Sequence, residues 1–411
     1  MKTPTIHRRR LCAALLGAGG LTLAALASGT LAGPARAADD VVVGVIQPLS
    51  GPNAQFGIGA QRGTELAAQM INAAGGIKAL GGAKIKLVAA DVPTPNTAAA
   101  TTQRLISQNG VSAVVGAFVS STTLAASEVT ERAGIPLVTF AFADQITGRG
   151  YQYVFQVSPK GTAFGAAQFD YATAIAKAAG EKIDKIAILY EDTAYGTAQA
   201  KGLREAAQKA GVAVVLDEAY PLGITDVSPL VNKLRASGAQ IAFPVSYLND
   251  SLLIIRALRQ QQIDIAVIGG AAGYIIPDFR KGLGAYAEGV LSVAAASGDL
   301  IPELAKTYKE KYGSFITHEA IIHAAALDAV AQAMEKAKSS DPQKVRDALA
   351  TLDTCTGLAK GVPGGCITFD KTGLNTSAFP VMVQWRGEEP VTVYPPQAAR
   401  QAPLWRGKPA P

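Results

Sequence analysis

Ser112-Ala113-Val114-Val115-Gly116-Ala117-Phe118-Val119-Ser120-Ser121-Thr122-Thr123 reads as a short buried strand, a turn and the start of a helix. The strand, 112–116, is an apolar run of β-suited residues. The helix starts near Ser120, because Leu124, Ala125, Ser127, Glu128, Val129, Arg132 and Ala133 continue at helical spacing. A helix start exposes free backbone N–H groups and a partial positive charge, so it attracts anions. Ser120, Ser121, Thr122 and Thr123 add hydroxyl donors there for a carboxylate. A plainer role competes: Ser120 or Ser121 as no more than the helix cap.

Working outward, the same strand-turn-helix unit repeats. Strands are expected at 41–47, 84–90, 112–116 and 136–139, and helices at 58–74, 96–109 and 120–133. A loop at 48–57 carries Pro48, Gly51, Pro52 and Asn53. A second round follows, with strands at 184–190, 212–216, 240–245 and 265–268 and helices at 196–210, 227–236 and 248–262. Alternating β and α segments of this kind imply parallel sheets covered by helices, here two doubly wound lobes in series joined near 153–159. Further helices are expected at 301–312, 319–338 and 342–350, and closing strands at 381–385 and 391–394. The tail from Pro395 is rich in Pro, Ala and Arg, and reads as surface-hugging or disordered. In open α/β sheets ligands sit at the carboxyl ends of strands, and two such lobes enclose a cleft. The residues in those loops are Phe56, Ser120 to Thr122, Ala141 to Asp144, Tyr195, Tyr247 and Ala271.

The chain has 411 residues, 49% hydrophobic and 17% charged, with a net charge of +6. Residues 1–37 hold five of the 38 basic residues and no acid, which leaves 33 basic against 32 acidic residues in the remainder. The basicity therefore belongs to one terminal segment and gives no support to a nucleic-acid partner. That segment runs from His7-Arg8-Arg9-Arg10 through an apolar stretch, 11–31, to Ala35-Arg36-Ala37, the layout of an export leader cleaved near Ala37/Ala38. The arginines followed by Leu11 resemble a twin-arginine signal, with His7 in place of the usual Ser or Thr; an ordinary Sec leader or an uncleaved anchor are the alternatives. Cys12 lies in the leader. Cys355 and Cys366, flanked by glycines, suit a disulfide across a surface loop in an oxidising compartment, contributing ~2–3 kcal/mol by loop closure.

Several chemistries are set aside. Gly57-Ile58-Gly59-Ala60-Gln61-Arg62-Gly63 has one residue too many for a dinucleotide fingerprint and follows a long loop where that fold needs a tight turn. His318-Glu319 with His323 has the wrong spacing for a zinc pair, since five residues turn a helix by about 500°. The two histidines read as one surface and one packed residue. No nucleophile elbow occurs. No catalysis, cofactor or metal is expected.

The segments GVIQPLSGPNAQFG, RGTELAAQMINAAGGI, VVGAFVSSTTLAASEVTERAGIPLVTF and IAILYEDTAYG resemble the periplasmic leucine/isoleucine/valine-binding proteins of bacterial ABC transporters. The likeness spans about 41–394. It implies the type I periplasmic binding protein fold, α/β with two doubly wound lobes and a three-crossover hinge. Lobe one would comprise 39–159 and 296–378, lobe two 160–295 and 379–396, with 397–411 as a tail. It implies a monomer that captures a small carboxylate in the periplasm and hands it to an ABC permease. Ser120, Ser121 and Thr122 would hold the carboxylate, Phe56, Tyr195 and Tyr247 would line the cleft, and the carbonyl of Ala141 would meet an ammonium group. Two departures matter. Ala143 stands where amino-acid binders carry Thr or Ser, and the loop around Ala271, Gly269 to Gly273, lacks the usual acid. Either Asp144 or Asp192 supplies the charge, or the ligand has no ammonium, being an aromatic or other non-amino carboxylate. A sensory ligand-binding module is the rival role.

Overall fold

The computed structural model describes residues 39–409; the leader, with its arginines and Cys12, and the end of the tail lie outside the described residues. Strands β1 (Val41–Gln47), β2 (Ile85–Asp91), β3 (Ala113–Gly116), β4 (Leu137–Thr139) and β5 (Val154–Gln156) form one sheet, ordered β2-β1-β3-β4-β5. Every pairing in it is parallel. The connections are α1 (Ala54–Ala73), α2 (Pro95–Asn109), α3 (Ser120–Ala133) and the short α4 (Gln145–Gly148). Helix α1 starts at Ala54, inside the expected loop, which moves Phe56 into its first turn.

The second round comprises β6 (Lys185–Glu191), β7 (Ala213–Tyr220), β8 (Ile241–Val245), β9 (Ala266–Gly269) and β10 (Leu291–Ala294), with α5 (Gly161–Ala178), α6 (Ala194–Ala210), α7 (Ser228–Ser237), α8 (Leu248–Gln260) and α9 (Pro277–Leu283). Then come α10 (Pro302–Tyr312), α11 (His318–Ala337), α12 (Pro342–Ala350) and a small hairpin of β11 (Asp353–Thr354) and β12 (Ile367–Thr368). Cys355 and Cys366, within that hairpin, are disulfide-bonded. Strands β13 (Val381–Arg386) and β14 (Glu389–Tyr394) add an antiparallel edge, giving the order β14-β13-β10-β9-β8-β6-β7.

Helix α5 escapes the sequence reading because small residues dilute its apolar pattern and glycine disfavours helix. The glycines serve packing against α6. A Cβ on Gly165 would lie 2.0 Å from the Gln199 carbonyl oxygen, and one on Gly202 2.0 Å from that of Thr162.

The chain passes between the two sheets three times: after β5 into α5, after β10 towards α10, and from the Gln156–Leu374 bridge to β13. Helix α11 returns to the first sheet, packing on α1, β3 and β4, and 16 of its 20 residues are buried. Both of its histidines are therefore inside, contrary to the expectation of one on the surface. Both imidazoles pack against the Phe140 ring, at 4.9 and 5.5 Å. The tail takes the surface-hugging form of the two that its composition allows. Its residues β15 (Leu404–Trp405) and β16 (Lys408–Pro409) pair, and Leu404 exchanges hydrogen bonds with the Gln384 side chain (2.7 and 2.8 Å). Trp405 is buried, and Arg406 pairs with Asp264 at 3.2 Å. Among the described residues no helix is long and apolar enough to cross a membrane.

Candidate functional site

The extended Val119 precedes α3, and no hydroxyl caps the helix. This overturns the capping role for Ser120. Its Oγ instead accepts the backbone N–H groups of Ala143 (3.2 Å) and Phe142 (3.3 Å), in the loop after β4. A hydroxyl that accepts two bonds keeps its own proton free to donate, and the two amides fix its direction. The first turn of α3 holds no acid, so nothing offsets the positive end of the helix. Thr122 is fully buried and its Oγ1 has no partner, whereas Ser121 is half-exposed and Thr123 turns back to the Val119 carbonyl (3.0 Å).

Around this helix start the two lobes meet through rings. Phe56 lies parallel to Phe118, centroids 4.5 Å apart, and Phe118 stacks on Phe140 at 5.2 Å. Phe142 reaches Tyr195 of the second lobe at 6.0 Å, Tyr195 contacts Tyr247 at 5.2 Å, and Tyr247 meets Phe56 edge-on at 6.0 Å, closing the circuit. The lobes are thus shut on each other. The Tyr195 hydroxyl donates to the Gly270 carbonyl, which brings the loop of Ala271 to the same place. Ala271 is buried with φ +76°, and its N–H donates to Ser292 Oγ (3.0 Å). Burial raises the phenols of Tyr195 and Tyr247 well above their usual range, so both stay neutral donors. Tyr274 is buried too; its hydroxyl meets Ser246 at 2.8 Å.

The acids sit elsewhere. Asp144 Oδ1 and Oδ2 accept the N–H (3.1 Å) and hydroxyl (2.8 Å) of Thr162, at the start of α5. The carboxylate is a strut across the first crossing. Asp192 is exposed and accepts the Leu222 N–H at 3.4 Å. The Ala141 carbonyl meets only Ser158 Oγ, at 3.4 Å.

Sequence reasoning missed a second polar group. His318, the first residue of α11, lies edge-on to Phe140 at 4.9 Å and within 6.1 Å of Phe142. Burial, then His323, pushes its imidazole down to about 3, and burial raises the neighbouring Glu319 to about 8. Gln47 Nε2 and Asp250 Oδ1 are also buried without partners. Two histidines and Glu319 inside the Ala-rich run 318–326 were the available signal.

Two lobes wound in this way, crossed three times and shut on a polar helix start, define the class of two-domain binding proteins that clamp a small solute. The chain belongs to the periplasmic binding protein family, whose profile it matches over residues 40–388. It is 35% identical over 376 residues to the Leu/Ile/Val-binding protein homolog 8 of Brucella melitensis, covering 88% of this chain and 92% of that one. The structure is similar to the branched-chain amino acid binding protein LivJ of Streptococcus pneumoniae in complex with isoleucine (TM-score 0.74, 25% identity, 86% of this chain and 100% of that). It is also similar to a Rhodopseudomonas palustris solute-binding protein in complex with benzoate (TM-score 0.71, 19% identity, 88% and 99%).

Proposed function

We propose that this chain is the solute-binding component of an ABC importer, which captures a small carboxylate between its lobes in the periplasm and delivers it to a permease. The observation that carries the reading is the Ser120 hydroxyl, oriented by two amides at an unneutralised helix start and enclosed by rings of both lobes. Residues 39–159 with 296–378, and 160–295 with 379–396, are the proposed moving bodies. Ligand contacts to both favour the shut state, and the permease reads that shape. The Brucella relative's name supports an amino acid or related ligand.

A second reading of the ligand draws on the acids. A zwitterion in a dry cleft needs both poles satisfied. Asp144 is spent on Thr162, and the Gly269 to Gly273 loop has no acid, which favours an aromatic or other non-amino carboxylate. A thermal-shift screen separates the two, since a tight ligand stabilises by mass action. Leucine, isoleucine and valine should leave the melting temperature unchanged while an aryl or keto acid raises it. Ser120→Ala should weaken the ligand found by about ten- to a hundredfold in calorimetry, the loss of one charge-assisted hydrogen bond. Wild-type affinity in that variant would place the anchor elsewhere.

A further inference from the structure

We propose that His318 and Glu319 form the second pole of the ligand site, both donating hydrogen bonds to an oxygen acceptor at the end of the ligand opposite its carboxylate. The inference rests on Ser120 as the carboxylate anchor.

His318 faces the anchor's own loop. Phe142, whose N–H donates to Ser120 Oγ, has its ring 6.1 Å from that of His318. The imidazole is held from behind: its Nδ1 accepts the N–H of Ala295 at 3.3 Å, in the second crossing. With Nδ1 as acceptor, the ring proton is on Nε2. That Nε2 faces Glu319 Oε2 at 3.5 Å, too long for a good hydrogen bond, and these two buried atoms and the adjacent Thr317 Oγ1 have no other hydrogen-bond partner. Leaving a buried polar group unpaired costs about 1–3 kcal/mol, so two adjacent ones mark a place where a third group belongs.

The chemistry of that group follows from what the two side chains offer. Burial keeps the imidazole neutral and the Glu319 carboxyl protonated at neutral pH, so the pair presents an N–H and an O–H. Two neutral donors converge on a hydroxyl, phenol or carbonyl oxygen and repel an ammonium group. This agrees with the acid-free loop of the second lobe. The ligand class is a compact carboxylate with a distal oxygen, its body between the rings.

Calorimetry on the mature chain with benzoate and 4-hydroxybenzoate tests this. The wild type should prefer the hydroxylated acid by about tenfold, one hydrogen bond from a buried donor. His318→Asn keeps an acceptor for Ala295 and deletes the distal N–H; it should bring the two acids to near-equal affinity. His318→Gln, which restores a distal donor, should recover part of the preference. Glu319→Met should reduce it without touching the His318–Ala295 bond, an independent route should His318→Asn misfold. Equal wild-type affinities, or a preference that survives both His318→Asn and Glu319→Met, would overturn the pair while a loss of both acids in Ser120→Ala left the anchor standing. Failure of the wild type to bind either acid, or binding indifferent to Ser120→Ala, would remove the anchor and this inference with it.

Discussion

Ser120 and Glu319 show how much depends on where a side chain finds its partner. Ser120 reads as a helix cap in the sequence, yet its Oγ bonds across to the next loop, so its role follows from β3 and β4 being neighbours in the sheet. Glu319 enters the sequence reading only within a rejected zinc pattern, and is buried with its carboxyl raised from 4.5 to about 8. A buried acid of raised pKa favours the folded state while protonated, fully below the unfolded value, and loses that contribution as pH rises through the folded value. Glu319→Gln mimics the protonated form at every pH. The melting temperature of the wild type should therefore fall relative to Glu319→Gln between about pH 4.5 and pH 8, the window set by those two values. Parallel curves across that window would mean that Glu319 ionises freely in the folded chain. His318, lowered to about 3, is present in both proteins and cancels in the comparison.

At the scale of elements, α1, α3 and α11 build one half of the site, and α5 is tied to it by Asp144. The carboxylate that the sequence offers as an ammonium partner is engaged twice by Thr162 at the second residue of α5. Asp144→Ala should lower stability by about 0.5–2 kcal/mol, as for a lost helix cap, while changing ligand affinity far less than Ser120→Ala. A collapse of affinity with stability intact would make Asp144 a ligand contact after all. The β-α rhythm was legible because apolar runs such as 113–116 and 186–189 stand between clear helix starts and glycine stops. That Phe56, Tyr195 and Tyr247 come together was legible because the ends of parallel strands converge. Helix α5 was not, since its Gly165 answers to the α6 backbone, 2.0 Å from where a Cβ would be, and not to local propensity. Nor were His318 and Glu319, whose meaning depends on α11 being covered on all sides.

For the whole molecule, the two sheets account for a binding device whose proposed working part is the contact between lobes: Phe56 with Tyr247, and Phe142 with Tyr195. Such a device is useful to an importer only outside the cytoplasm, and the export leader expected at His7-Arg8-Arg9-Arg10 would take it there. Replacing Arg8 and Arg9 by Lys should leave precursor in the cytoplasm if export follows the twin-arginine route; undiminished export would assign the Sec route. The disulfide between Cys355 and Cys366 belongs to the same compartment. In material recovered from the periplasm neither thiol should react with a maleimide before reduction.

The packing of β15 against β13 has an optical consequence. The sequence holds two tryptophans, and they are Trp385 on β13 and Trp405 on β15, both buried in the second sheet's half of the protein. The first sheet and its helices carry none, while tyrosines are spread over both halves. Indole emission thus reports the second sheet and what packs on it, Phe315 of the returning segment included, and the far-ultraviolet dichroism reports the whole chain. If the lobes melt as separate cooperative units, the two signals will part company on heating; if closure fuses them, a ligand that shuts the cleft will draw the two transitions together.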